Sequence, residues 1–254
     1  MNMTLLISFL VGGFALGSIP FALLLGRTQG VDIRTLGSGN PGATNLGRHL
    51  GFKWFLICFA LDAVKGLTPV LVYGLIAGTA SNPALPPAQA FAWLGVMIAP
   101  VLGHMFSPWI GFKGGKGVAT GLGALLGVFP VLTVAGAGAF VVFISTLTLW
   151  RYMGLSSVLA AGSLPIWVWY FGEVLRRGAS TSDEPPPITW PYLVVTIALA
   201  ALVIYKHRGN LSRMADGVAP KVGSKPDPAP TSEPQSETST EPIAPKSPPS
   251  GDDT

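Results

Sequence analysis

The stretch KGVATGLGALLGVFPVLTVAGAGAFVVFISTLTLWR runs from Lys116 to Arg151 with no charged residue between its ends. Crossing a bilayer takes about 20 apolar residues, so this run is too long for one straight span and slightly short for two. Pro130, near its middle, lacks the N–H that an unbroken helix would use. The reading is two helices, 116–129 and 130–149, the first on the short side for a full crossing. Outward from this stretch the same measure gives five more spans, at 3–25, 54–77, 88–106, 153–173 and 189–206. The fold class is therefore all-α: a polytopic membrane helix bundle of about seven transmembrane helices.

Composition agrees. The chain is 49% hydrophobic and 11% charged, against about 25% charged residues in soluble domains. Much of its surface must face lipid. The first run, Met3 to Leu25, has no positive residue before it and Arg27 directly after it. A cleavable signal has the reverse charge order, so the run reads as a retained span with its N-terminus outside. Seven crossings then leave Arg27, Arg34, Arg48, Lys53, Lys113, Lys116, Arg151, Lys206, Arg208 and Arg213 in the cytoplasm. Only Arg176 and Arg177 fall outside. Ten against two obeys the positive-inside rule, and it places the C-terminus in the cytoplasm.

Residues 1–220 carry 13 Lys+Arg and 6 Asp+Glu, whereas 221–254 carry 3 and 6. The tail has no aromatic residue and is dense in Pro, Ser, Thr and acids, so it is expected to be disordered. The domains are thus 1–220, embedded in the membrane, and the tail 221–254. The basic residues are scattered among membrane-length segments, which suits anionic lipid and anionic substrates rather than nucleic acid. The single cysteine, Cys58, lies in an apolar run and reads as a small buried hydrophobe.

Three cytoplasmic segments are polar and glycine-rich. In the first, GSGNPGATNLGR from Gly37 to Arg48, Gly37 and Gly39 let the backbone turn tightly and offer amides to an anion. Ser38, Asn40, Thr44 and Asn45 add side-chain hydrogen bonds. Arg48 adds a planar fork suited to phosphate. The second, GHMFSPWIGFKGGKGVAT, runs from Gly103 to Thr120. It misses the nucleotide P-loop pattern at Ile110 and Gly117. It keeps that pattern's physical logic, with Lys113 and Lys116 around Gly114 and Gly115 at the opening of a helix. His104 sits at its start, to touch substrate or to pack. The third, KHRGNLSRM from Lys206 to Met214, places His207, Arg208 and Asn210 directly after the last span.

Asp62 and Lys65 lie one helical turn apart inside a span, where ionisable residues usually face a partner or a cavity. An internal ion pair explains them as well as contact with substrate does. Ser156 and Ser157 follow Arg151, and helix packing accounts for them equally. The three histidines are not spaced as a zinc site, and no Gly-x-Ser-x-Gly elbow is present. No cofactor is expected.

Taken together, GSGNPGATN with Arg48, GHMFSPWIGFKGGKGVAT and HRGNLSRM resemble the bacterial glycerol-3-phosphate acyltransferases that use acyl phosphate, over residues 1 to about 218. The resemblance implies a bacterial inner-membrane protein of seven helices, with its active site on the cytoplasmic side. It implies transfer of a fatty acyl group from acyl phosphate to the 1-hydroxyl of glycerol 3-phosphate, giving lysophosphatidate and inorganic phosphate. Ser38, Arg48, His207 and Asn210 match the family's functional positions, and Lys116 matches within the glycine-rich loop. These five are the candidate catalytic residues. Gly37, Gly39, Asn40, Thr44, Asn45, His104, Lys113, Gly114, Gly115, Ser157 and Arg208 are the candidate substrate contacts. The partners implied are the two substrates and membrane lipids, with no oligomeric state specified. One departure stands out: the family's third motif continues to glycine and then, two residues on, glutamate, where this chain has Gly217 followed by Val218 and Ala219.

Overall fold

The computed structural model describes residues 1–82, 85–179 and 189–224. The described residues form nine α-helices: α1 (Met3–Gly17), α2 (Phe21–Thr28), α3 (Ala43–Leu50), α4 (Phe52–Ile76), α5 (Pro87–Met105), α6 (Val118–Gly127), α7 (Val131–Trp150), α8 (Met153–Ala179) and α9 (Trp190–Ala215). Single 3-10 turns lie at Ile33–Thr35 and Pro108–Ile110. Six helical stretches are long and apolar enough to cross a membrane, with Met3–Thr28 counting as one of them.

The expected span 3–25 is two helices. Pro20 has no N–H to continue α1, and Ser18 caps it, its hydroxyl donating to the Ala15 carbonyl at 2.7 Å. The expected helix 116–129 is the ten residues of α6, about 15 Å long and half the depth of a hydrocarbon core. α9 runs nine residues past the expected end at 206, so the third polar segment is helix, not loop. The expected tail falls outside the described residues from 225 onward. Its first four residues, 221–224, are described, and Val222 hydrogen-bonds to Arg151.

α5 is the centre of the bundle. In its spanning stretch 72% of residues are buried, against 22–39% in the other five. Trp93, Leu94, Met97, Val101 and Met105 form its contribution to the core. Large apolar side chains such as Ile7, Leu75, Val141, Ile166 and Ile197 point outward, as a lipid-facing surface requires. With no hydrophobic drive between helices in lipid, close backbone approach supplies the packing. A Cβ added at Gly123 of α6 would overlap the Ala63 carbonyl of α4, and one at Gly66 of α4 would overlap the Thr120 carbonyl of α6. The glycines at these crossings let α4 and α6 touch.

Candidate active site

Successive crossings bring the start of α4, the end of α5, the start of α6, the start of α8 and the end of α9 to one end of the bundle. There they surround a cavity of about 240 Å³. Segment 37–48 closes one side. Asn45 is buried and holds that segment in shape. Its Nδ2 donates to the Ile33 and Leu36 carbonyls, each at 3.0 Å, and its Oδ1 accepts from the Ser38 N–H at 3.4 Å. Asp32 caps the turn just before, where hydrogen bonds from Arg34 bring its carboxyl down to about 2. Arg48 lies on α3, one turn beyond Thr44, and both face the cavity.

Opposite stands the third segment. His207, Asn210, Arg213 and Met214 recur at helical spacing on α9, so one face carries all four to the cavity. The buried His207 places Nδ1 2.8 Å from the Val203 carbonyl. A carbonyl only accepts, so Nδ1 carries the proton and the neutral ring leaves Nε2 with its lone pair free. The Asn210 Oδ1 accepts from Lys116 Nζ and from Arg213 Nη2, both at 2.6 Å. One amide oxygen thus ties two cations together at the mouth of α6. Burial first, and then the positive charges of Arg213, Lys206 and Arg48, push the Lys116 ammonium down to about 8.

The floor is a buried charged group. Asp62 Oδ1 lies 2.7 Å from Lys65 Nζ and 3.6 Å from His104 Nδ1, and Lys65 also donates to the Ile19 carbonyl at 2.7 Å. Asp62 is thus half of an internal ion pair, and it also lines the cavity. The His104 carbonyl accepts from the Gly115 N–H at 3.1 Å. A Cβ at Gly114 would overlap that carbonyl, and one at Gly115 would overlap the His104 ring. The glycine pair is a seat on His104 that sets where Lys116 stands.

All five candidate catalytic residues, Ser38, Arg48, Lys116, His207 and Asn210, line the cavity, as do Gly37, Asn40, Thr44, Asn45, His104 and Ser157. Gly39, Lys113, Gly114, Gly115 and Arg208 do not. Gly39 shapes a turn at φ +64°, Lys113 is exposed, and exposed Arg208 lies over the Tyr205 ring, 4.1 Å from its centre. Ser157 turns its hydroxyl to the Met153 carbonyl at 2.8 Å, so its helix holds that donor. Sequence reasoning missed His49, Phe55, Phe59, Phe143, Met153 and Arg213, which also line the cavity. Arg213 was findable from the 207, 210, 213 spacing, and His49 from its place beside Arg48. The aromatic residues carry no such mark in an apolar helix.

Arg48, Lys116 and Arg213 face the cavity, and the one carboxylate among the described residues that line it, Asp62, is already paired. The N-terminus of α6, opened by Gly117 at φ +78°, adds backbone amides and the positive end of its dipole. Such a lining is electrostatically suited to an anion. Phe55, Phe59, Phe143, Met153 and Leu155 give the same cavity an apolar wall.

The family description "Glycerol-3-phosphate acyltransferase" matches residues 7–217. A protein of that name from Trichlorobacter lovleyi is 39% identical over 219 residues, which is 86% of this chain and 98% of that one. Another from Geobacter sulfurreducens is 40% identical over 206 residues, 80% of this chain and 91% of that one. Among solved structures, PlsY (YgiH), described as an integral membrane glycerol 3-phosphate acyltransferase in its glycerol 3-phosphate form, superposes with a TM-score of 0.71. It is 33% identical and covers 86% of this chain and 96% of its own. The lysophosphatidic acid form gives 0.69 at 32% identity. The family match, the named relatives and the integral membrane neighbours agree with a multi-pass helix bundle, and the chain belongs to the glycerol-3-phosphate acyltransferase family.

Proposed function

We propose that the cavity holds glycerol 3-phosphate beside a fatty acyl phosphate and transfers the acyl group to the 1-hydroxyl. The observation that carries this is the joining of three cations and a helix N-terminus to an apolar wall in one cavity. The polar part suits phosphate groups, and the apolar wall suits a fatty chain. Acyl phosphate is already activated, so positioning and charge stabilisation supply most of the catalysis. The glycerol hydroxyl oxygen bonds to the acyl carbonyl carbon while the carbon–oxygen bond to phosphate breaks. Phosphate leaves with the electron pair and takes the hydroxyl proton. The neutral His207 ring holds the glycerol backbone in place and leaves the hydroxyl hydrogen pointed at a phosphate oxygen. Lys116 and Arg48 neutralise the phosphate oxygens.

Eight of the ten basic residues assigned to the cytoplasm lie near or beyond helix ends, and Lys206 and Arg208 lie in the last three turns of α9, whose end carries the cavity. The positive-inside rule then supports a bacterial inner-membrane protein whose site faces the cytoplasm. Purified protein in detergent, given palmitoyl phosphate, is expected to release phosphate only when glycerol 3-phosphate is present. Equal or faster product formation from acyl-CoA would reject the donor assignment. His207→Ala is expected to lower turnover modestly with glycerol 3-phosphate binding intact. A loss of many orders of magnitude would make His207 the base.

A further inference from the structure

Arg151 has no part in the chemistry above, yet it grips the far end of the chain. It caps α7 in the left-handed conformation, φ +61°, at the corner where α7 passes into α8. Its Nη2 and Nε both donate to the Val222 carbonyl, at 2.7 and 3.1 Å. Its own carbonyl accepts from the Val222 N–H at 2.7 Å. Lys221 Nζ stands 5.6 Å from the centre of the neighbouring Tyr152 ring. The other end of the segment is fixed as firmly. α9 finishes in a Schellman turn, with the Gly217 N–H on the Met214 carbonyl at 3.1 Å and the Val218 N–H on the Arg213 carbonyl at 2.9 Å.

Between these anchors lie Val218, Ala219 and Pro220, and all three line the cavity. None has a polar side-chain atom, and Pro220 has no N–H. Val218 is 65% exposed, so its side chain adds little packing to the strap, and Ala219 and Pro220 are half-buried. The clamp at Arg151 holds the strap in place. The position where the family motif carries glutamate is Ala219, a neutral piece of this wall.

The geometry points to Arg151 as a positioning residue of the acyl-transfer site: it clamps residues 217–222 across the cavity so that the acyl group is kept from water. An activated acyl carbon is open to water as well as to glycerol. In the competing reaction the water oxygen bonds to that carbon, the bond to phosphate breaks, and phosphate leaves with the electron pair and one proton. The fatty acid keeps the other. A cavity lined with cations draws water, and three apolar residues at its edge oppose that. The donor named here rests on the proposed function.

Arg151→Ala removes the clamp from the corner side. Val222→Pro removes the strap's own N–H and leaves the corner untouched. In the full-length protein in detergent, tryptic cleavage after Lys221 is expected to quicken at least fivefold in Arg151→Ala, whereas Val222→Pro, whose Lys–Pro bond trypsin does not cut, is read by the product ratio. With palmitoyl phosphate and saturating glycerol 3-phosphate, the ratio of phosphate released to lysophosphatidate formed is expected to rise at least threefold. Unchanged cleavage in Arg151→Ala would overturn the clamp. Faster cleavage with an unchanged ratio would overturn its role. If the unaltered protein makes no product from palmitoyl phosphate, the donor assignment fails by itself. The strap is then judged by the same ratio with acyl-CoA, counting free thiol against lysophosphatidate.

Discussion

Lys116 makes the site's grip on phosphate depend on pH within an accessible range. Burial and three neighbouring cations bring its ammonium from 10.5 to about 8. Below pH 8 the charge is present, and as pH rises through 8 it is lost. From pH 7 to pH 9 the protonated fraction falls about tenfold, from roughly 0.9 to roughly 0.1, for a group titrating at about 8. Glycerol 3-phosphate is already mostly dianionic above pH 7, because its second proton leaves near about pH 6. Its kcat/KM should therefore fall about tenfold between pH 7 and pH 9, as the protonated free enzyme disappears. A bound dianion favours the charged lysine, so the alkaline limb of kcat should sit at higher pH than that of kcat/KM. Lys116→Arg keeps the charge at every pH of the assay. It should lower the plateau through altered geometry and abolish the limb. The depressed value also gives a sign for stability. Between about pH 8 and 10.5 the unfolded chain holds a proton that the folded one has released, so the unliganded fold gains up to about 3 kcal/mol across that window. The assay is initial rate against glycerol 3-phosphate from pH 6.5 to 9.5, corrected for spontaneous donor hydrolysis. A flat kcat/KM up to pH 9.5, or the same limb in Lys116→Arg, would refute the reasoning.

Asp62→Asn leaves Lys65 charged and buried without its carboxylate, and should cost about 3–5 kcal/mol in detergent unfolding. Adding Lys65→Met should restore most of it, and an unaltered melting curve in the single variant would contradict the ion-pair role. Arg48→Lys replaces a two-pronged donor with a point charge and should raise the KM for glycerol 3-phosphate by about tenfold or more with a smaller effect on kcat. An unchanged KM would remove Arg48 from the phosphate site. Gly123→Ala drives a methyl group into the Ala63 carbonyl, whereas a Cβ at Gly121 meets nothing within 4 Å. The first should destabilise by about 1–3 kcal/mol or more and the second should gain up to about 1 kcal/mol from helix propensity. Equal melting temperatures for the two would show that α4 and α6 do not touch as described.

Hydropathy made the bundle legible because each helix sits in a solvent that demands apolar side chains. It also drew attention to Gly37–Arg48 and Lys113–Lys116, where polar residues interrupt that demand. It misplaced the end of α9, because the last turns are polar in sequence while their backbone remains helical. The 207, 210, 213 spacing held the information, which a search for loops passed over. It read Gly114 and Gly115 as ligand amides, whereas they are the room that His104 needs, a fact of tertiary contact with no local trace. Pro20 marks the break between α1 and α2, inside an apolar run whose continuity gives one span by hydropathy alone. The link from Arg151 to Val222 joins residues 71 apart and follows from no periodicity.

The brevity of α6 carries a consequence for how the protein is made. A ten-residue helix cannot remain in a bilayer by its own hydrophobic length, since about half the thickness would be left for unpaired backbone. It settles there because Gly66 and Gly123 lock it to α4. Its membrane placement is thus an outcome of assembly rather than of insertion. A nascent chain stopped before α4 has docked would carry the phosphate-gripping end of α6 outside the hydrophobic layer, and the site would come into being only when that docking is complete.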